Sequence, residues 1–212
     1  MKPNYNESLF NKMPVVGIMR NIPLDIIEEI LPYYKEAGFT NIEITMNSEN
    51  SEGTIKYLSQ NHEDLNIGAG TVCNMEDLMR AVNVGASFIV TPILNVEVMK
   101  YCTENEIPIF PGAFTPLEIY NASNLGATAV KIFPATQLGA SYIKDVLAPL
   151  NKMKLLPTGG VTVDNIESFF KAGAIGVGMG SSLFDKDLIQ SKNYKELLNH
   201  FKEIANKVLK VK

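Results

Sequence analysis

The 212-residue chain predicts an α/β fold in one domain over residues 1–212, an N-terminal helix followed by a (β/α)8 TIM barrel. Three observations carry this expectation. Short apolar runs alternate with longer amphipathic stretches from end to end, the pattern of strand-helix units feeding a parallel sheet. Four helix-like segments end in glycine and run straight into a strand, at Gly38, Gly85, Gly126 and Gly173, where glycine suits the left-handed C-terminal cap of a helix. Successive members of this set lie 47, 41 and 47 residues apart by subtraction, a period of two strand-helix units that fits eight units into the chain.

The elements follow in order. The first strand is expected over 15–20, where Val15-Val16-Gly17-Ile18-Met19 runs apolar and Arg20 closes it. The second covers 41–45 after Gly38, the third 66–69, and the fourth 88–91 after Gly85. Segment 107–110 is the fifth, 129–133 after Gly126 the sixth, 154–156 the seventh, and 175–178 after Gly173 the eighth. Helices open on Asn74-Met75-Glu76-Asp77, Thr115-Pro116-Leu117-Glu118 and Thr162-Val163-Asp164-Asn165, each a capping residue before acidic first-turn residues. Tyr194, Leu197, Leu198, Phe201, Ile204 and Val208 recur at helical spacing and predict a closing helix on the barrel wall.

Composition excludes several kinds of chemistry. Nineteen basic and 23 acidic residues give a net charge of -4 without a long like-charge run, which argues against nucleic-acid and anionic-lipid partners. The longest uncharged stretch, 81–96, is broken by Asn83, Gly85, Thr91 and Pro92, and the start Met1-Lys2-Pro3-Asn4-Tyr5-Asn6-Glu7 is polar. No membrane span or signal peptide is therefore expected. Cys73 and Cys102 fall in no metal-binding or disulfide spacing and read as reduced thiols of a cytoplasmic protein. The two histidines, His62 and His200, sit among polar helix-like residues and read as surface groups. A Ser-His-Asp site or a His-rich metal site lacks its parts.

Two charges stand inside apolar strands. Five positions after the four capping glycines come Glu43, Val90, Lys131 and Gly178, and equivalent turns place them in one interior layer of alternate strands. Seven positions after the glycines come Thr45, Pro92, Phe133 and Gly180, nearer the C-terminal mouth where barrel active sites lie. Lys131, within Ala129-Val130-Lys131-Ile132-Phe133, is costly to bury unless its amine is neutral or paired. Desolvation lowers a lysine pKa, and a neutral amine can form a Schiff base with a carbonyl. Glu43, between Ile42 and Ile44, can move protons beside such an imine. A structural ion pair between the two, or a lysine that holds a phosphate, accounts for the same placement.

Two glycine-rich segments follow the last two strands, Pro157-Thr158-Gly159-Gly160-Val161 and Gly178-Met179-Gly180-Ser181-Ser182. Backbone N–H groups there can approach an anion, and these two loops are the usual phosphate site of a TIM barrel. Arg20 is one of only two arginines, and its planar fork suits a carboxylate or phosphate, although a rim salt bridge is the simpler role. Gly68-Ala69-Gly70-Thr71 offers close backbone approach and one hydroxyl, and either Thr71 or Asn74 can cap the next helix.

With these residues the chain resembles the class I 2-keto-3-deoxy-6-phosphogluconate and 4-hydroxy-2-oxoglutarate aldolases, from the first strand to Ser181. The pieces are Ile42-Glu43-Ile44-Thr45, Gly68-Ala69-Gly70-Thr71-Val72, Val90-Thr91-Pro92, Phe110-Pro111-Gly112, Val130-Lys131-Ile132-Phe133-Pro134, Pro157-Thr158-Gly159-Gly160-Val161 and Gly178-Met179-Gly180-Ser181. The resemblance implies Lys131 as the Schiff-base lysine and Glu43 as general acid/base. It implies Arg20 and Thr71 on the pyruvate carboxylate, Pro92 and Phe133 shaping the pocket, and Thr158, Gly159, Gly160, Gly180 and Ser181 around the distal phosphate. It further implies a small-molecule substrate, a phosphorylated 2-keto-3-deoxy sugar acid, with pyruvate as product, no cofactor, no metal, and a cytoplasmic homotrimer. Asn47 stands where many members carry arginine, a departure for which Arg20 can compensate. Met46-Asn47-Ser48 also resembles the phosphogalactonate branch, which leaves the C4 configuration open. A phosphosugar isomerase or epimerase barrel without imine chemistry is the alternative expectation.

Overall fold

The computed structural model describes residues 4–212, and Met1, Lys2 and Pro3 of the polar start lie outside it. Helix α1 (Glu7–Lys12) precedes strand β1 (Val15–Met19), and from there strands and helices alternate apart from two consecutive strands at 109–113 and two consecutive helices at the C-terminal end. The strands are β2 (Asn41–Thr45), β3 (Asn66–Gly70), β4 (Ile89–Val90), β5 (Ile109–Phe110), β6 (Gly112–Ala113), β7 (Val130–Ile132), β8 (Leu155–Pro157) and β9 (Val177–Met179). The principal helices between and after them are α2 (Leu24–Glu36), α3 (Ser51–Asn61), α4 (Met75–Asn83), α5 (Val96–Glu104), α6 (Pro116–Asn124), α7 (Gly139–Leu147), α8 (Ile166–Lys171), α9 (Lys186–Gln190) and α10 (Tyr194–Val211).

The fold is α/β with parallel pairing throughout, in a six-stranded sheet ordered β5-β4-β3-β2-β1-β9 and a three-stranded sheet ordered β6-β7-β8. The fifth expected strand is therefore two short segments. Proline has no N–H to donate to a ladder, and Pro111 separates the two while its carbonyl accepts from Lys131 N at 2.9 Å. A parallel bridge between Thr158 and Gly178 links the other edges. The eighth expected strand starts later than 175, because Gly176 threads beside the Pro14 carbonyl and Ile175 stays partly exposed.

The glycine repeat has the physical basis expected of it. Gly38, Gly85, Gly126 and Gly173 all take positive φ, between 90° and 102°, at the ends of α2, α4, α6 and α8. Asn74 caps α4 through its side chain, and Thr115 with Glu118 forms a capping box on α6. The expected start at Thr162 is instead a turn, where the Asn165 side chain accepts from Thr162 N and α8 begins at Ile166.

Alternation along the strands divides the interior. Ile42, Ile44, Val130 and Ile132 pack outward with helix residues such as Leu31, Leu58, Ile119 and Ile143 in the larger core. Val16, Phe88, Val90, Phe110, Ala129 and Leu156 form a second cluster that Phe10 of α1 joins. Burying these side chains stabilises the fold by about 25 cal/mol for each Å² of apolar surface removed from water. Helix α10 seats Leu197, Phe201, Ile204 and Val208 as its spacing predicts, with Tyr194 and Leu198 only half-buried. Among the described residues, no helix is long and apolar enough to cross a membrane.

Both histidines are half-buried and engaged rather than simply exposed. His62 bridges α3 to α2 through Glu28 at 2.9 Å and Lys35 at 3.3 Å. His200 contacts the Ser182 carbonyl at 2.9 Å.

Candidate active site

Strand β2 carries Asn41, Glu43 and Thr45 on one face, opposite Ile42 and Ile44, so the carboxylate is turned away from the helices. Glu43 is only 2% exposed and lies against the neighbouring strand β3. A Cβ built on Gly70 would fall 1.7 Å from Glu43 Oε1, so the absence of a side chain at Gly70 is what admits the carboxylate. Gly68, in register with Glu43, similarly admits the Phe88 ring. The glycines of this strand thus make room for side chains, in addition to the close backbone approach expected of them.

Lys131 sits on β7 between Val130 and Ile132 and is 6% exposed. Its Nζ lies 5.1 Å from the centroid of the Phe133 ring, within cation–π range. Burial lowers the Lys131 pKa, with Glu43 raising it and Arg20 lowering it further. Burial raises the Glu43 pKa, against the pull of Lys131 and then Arg20. Both shifts favour the neutral forms, an uncharged amine beside a carboxyl that can hold a proton. Such a pair can attack a carbonyl and move the protons that the attack requires.

Arg20 follows the last residue of β1 and is exposed, and its charge acts on both buried groups. Thr71 follows β3 with a positive φ of 57°, and its carbonyl accepts from Cys73 Sγ at 3.6 Å. The helix cap next to it is Asn74, which leaves Thr71 outside the capping role. Pro92 lies beyond β4, so close to Gly112 that a Cβ there would be 2.3 Å from its carbonyl carbon. Phe133 is 36% exposed at the end of β7 and bridges Lys131 to Gly159.

The glycine loops lie beside this pair. Gly159 and Gly160 both have positive φ, 86° and 76°, and Gly160 packs against Thr136 with no room for a Cβ. Thr158 is buried with its hydroxyl directed to the Leu156 carbonyl at 3.4 Å and packed on Gly178. The Gly180 carbonyl accepts from Leu183 N and Phe184 N, both at 2.9 Å, which leaves Ser181 exposed on the turn. Ser182 donates to the Val161 carbonyl at 2.5 Å and so ties one loop to the other.

The structure thus gathers Glu43, Lys131 and Arg20 by mutual charge, and Phe133 with the first glycine loop by contact. Residues not expected there from the sequence include Cys73, a thiol that burial holds neutral within electrostatic range of Lys131, together with Gly70 and Ser182. Gly70 had a usable signal, a glycine on the strand beside an internal acid. Cys73 had only its place two residues past Thr71.

Residues 7–200 match the family model for KDPG and KHG aldolase. The 2-dehydro-3-deoxy-phosphogluconate aldolase of Haemophilus influenzae is 35% identical over 204 residues, which cover 94% of this chain and 96% of that one. The 2-dehydro-3-deoxy-6-phosphogalactonate aldolase of Escherichia coli is 34% identical over 175 residues, 82% of this chain and 85% of that one. A solved structure described as native KDPGal superposes with a TM-score of 0.86 at 29% identity, covering 94% of this chain and 96% of the other.

Proposed function

The chain belongs to the KDPG and KHG aldolase family and is a lyase, and from that premise we propose that Lys131 and Glu43 are the reacting pair. The substrate is 2-keto-3-deoxy-6-phosphogluconate or its galactonate epimer, with 4-hydroxy-2-oxoglutarate as a further substrate. The observation that carries this reading is a lysine on β7 and a glutamate on β2, both buried within electrostatic range of each other and each shifted toward its neutral form.

The neutral Lys131 amine attacks the C2 ketone of the substrate to give a carbinolamine. Protonated Glu43 delivers a proton to the C2 oxygen, which leaves as water and yields the iminium. Glu43, now a carboxylate, takes the proton from the C4 hydroxyl directly or through a water. The C3–C4 bond then breaks, its electrons moving into the iminium to form an enamine, and glyceraldehyde 3-phosphate departs. Protonation at C3 and addition of water return pyruvate and free Lys131. With 4-hydroxy-2-oxoglutarate the departing aldehyde is glyoxylate.

Arg20 and Thr71 hold the carboxylate of the keto acid, the former by the bidentate geometry a guanidinium allows. Pro92 and Phe133 shape the pocket. Thr158, Gly159, Gly160, Gly180 and Ser181 surround the phosphate, a role supported by the left-handed glycines and the Ser182 tie between the loops.

The same reading takes β5 and β6 as one strand interrupted at Pro111, which with the Thr158–Gly178 bridge completes an eight-stranded barrel in one domain. A cytoplasmic homotrimer accompanies it, supported by the exposed apolar residues Ile93, Val96, Phe114, Leu117 and Tyr120. An isomerase or epimerase without imine chemistry is not favoured, because the relatives are named as aldolases.

Release of pyruvate from each of the three substrates, followed with a coupled lactate dehydrogenase assay, tests the assignment. Turnover of at least one phosphorylated epimer, faster than of 4-hydroxy-2-oxoglutarate, is expected. Failure to release pyruvate from any of the three contradicts it.

A further inference from the structure

We propose that Ser48 is a positioning residue that holds Arg20 over the reacting pair, an inference that rests on the aldolase reading of the site. Strand β1 pairs with β2 through Ile18 with Glu43 and Met19 with Ile44, and the ladder ends one residue short of Arg20. Beyond that point a side chain takes over the link between the two strand ends. The N–H of Asn21 donates to Ser48 Oγ at 2.9 Å, and this amide belongs to the peptide unit joining Arg20 to Asn21.

The bond continues inward. Ser48 Oγ lies 2.7 Å from Thr45 Oγ1, and Thr45 is fully buried two residues past Glu43 on the same face of β2. A Ser48 hydroxyl that accepts from Asn21 still has its own proton for Thr45. The Ser48 N–H also donates to the Thr45 carbonyl at 2.9 Å, which closes the turn that presents the hydroxyl. Asn21 itself holds a left-handed φ of 54°, which asparagine adopts more readily than most residues and which turns its N–H toward Ser48.

The consequence falls on Arg20. Its side chain is exposed, and its charge acts on both Glu43 and Lys131. Fixing its backbone through Ser48 to the strand that carries Glu43 holds the guanidinium where its charge acts on both buried groups. Ser48 therefore touches no reacting atom and acts through Arg20.

The test uses the full chain and pyruvate, with the rate of borohydride-trapped adduct measured against pyruvate concentration. In Ser48→Ala the half-saturating pyruvate concentration rises about tenfold, while the maximal rate stays within about twofold of the parent. Ser48→Thr, which keeps the hydroxyl, restores half-saturation to within about threefold. In an Arg20→Ala background, Ser48→Ala adds less than about twofold, because the residue through which it acts is gone. Should Ser48→Ala fail to fold, Thr45→Val removes the inner hydroxyl of the same chain and is expected to raise half-saturation likewise.

Unchanged half-saturation in Ser48→Ala, or a full tenfold effect that persists without Arg20, overturns the role of Ser48 and leaves the aldolase reading intact. A parent protein that traps no pyruvate at any concentration overturns the aldolase reading itself, and this inference with it.

Discussion

Glu43 on β2 and Lys131 on β7 are each other's strongest support against burial: the lysine is the main force holding the Glu43 pKa down, and the glutamate the main force holding the Lys131 pKa up. Desolvation nevertheless prevails in both, so the pair rests nearer its neutral forms than two exposed residues would. That balance is the one an amine nucleophile beside a proton-carrying carboxyl requires.

Replacing Lys131 by Met removes the proposed nucleophile at similar length. Lyase activity falls by at least about 10³-fold. Glu43 then loses its principal cationic neighbour, so its pKa rises further in the folded state. A carboxyl with a folded pKa above its unfolded value contributes stability that is lost as pH rises through the folded value. Thermal unfolding of Lys131→Met should therefore fall more steeply than that of the parent as pH rises above the usual carboxylate range. A flatter dependence than the parent's contradicts the coupling.

Glu43→Gln and Arg20→Ala should move the lysine in opposite directions. Loss of the carboxylate disfavours the ammonium form, so the acidic limb of the pH–rate profile for adduct formation shifts to lower pH in Glu43→Gln. Loss of the guanidinium removes a repulsion, so the limb shifts to higher pH in Arg20→Ala. Shifts of the same sign in both variants refute this electrostatic picture.

Steady-state kinetics of the same two variants separate their roles. Glu43→Gln lowers kcat by about 10²- to 10⁴-fold, the range for removal of a general acid/base. Arg20→Ala raises KM about tenfold with a smaller change in kcat, as loss of a carboxylate contact requires. A kcat defect in Arg20→Ala as large as that of Glu43→Gln contradicts the division.

Gly70→Ala tests how the acid is seated. The added Cβ would fall on Glu43 Oε1, so the carboxylate must move. A displacement near 1 Å costs about 10²-fold in kcat, although no ionisable group has been changed. Activity within about twofold of the parent shows that the seat is not needed.

Much of the architecture could be read from local chemistry. The left-handed glycines at the ends of α2, α4, α6 and α8 need no tertiary information, because the helix terminus itself calls for them. The common five-residue offset from Gly38 and Gly126 leads to Glu43 and Lys131. Pro111 was visible in the sequence, but its division of one strand into β5 and β6 depended on which neighbour its carbonyl met. The contacts of Ser48 with Asn21 and Thr45, and of Gly70 with Glu43, join residues 25 or more apart or depend on side-chain direction. Periodicity fixes which face a residue occupies and leaves such pairings unspecified. The sequence marks Cys73 only as a reduced thiol, since the loop that brings it within range of Lys131 has no period.

The central claim is that Lys131 forms an imine with the keto acid. Borohydride reduction of the full chain in the presence of pyruvate, followed by peptide mass spectrometry, tests it most directly. A reduced pyruvate adduct is expected on Lys131 alone, absent from Lys131→Met. Pyruvate that binds without leaving an adduct, or an adduct carried by another lysine, contradicts it.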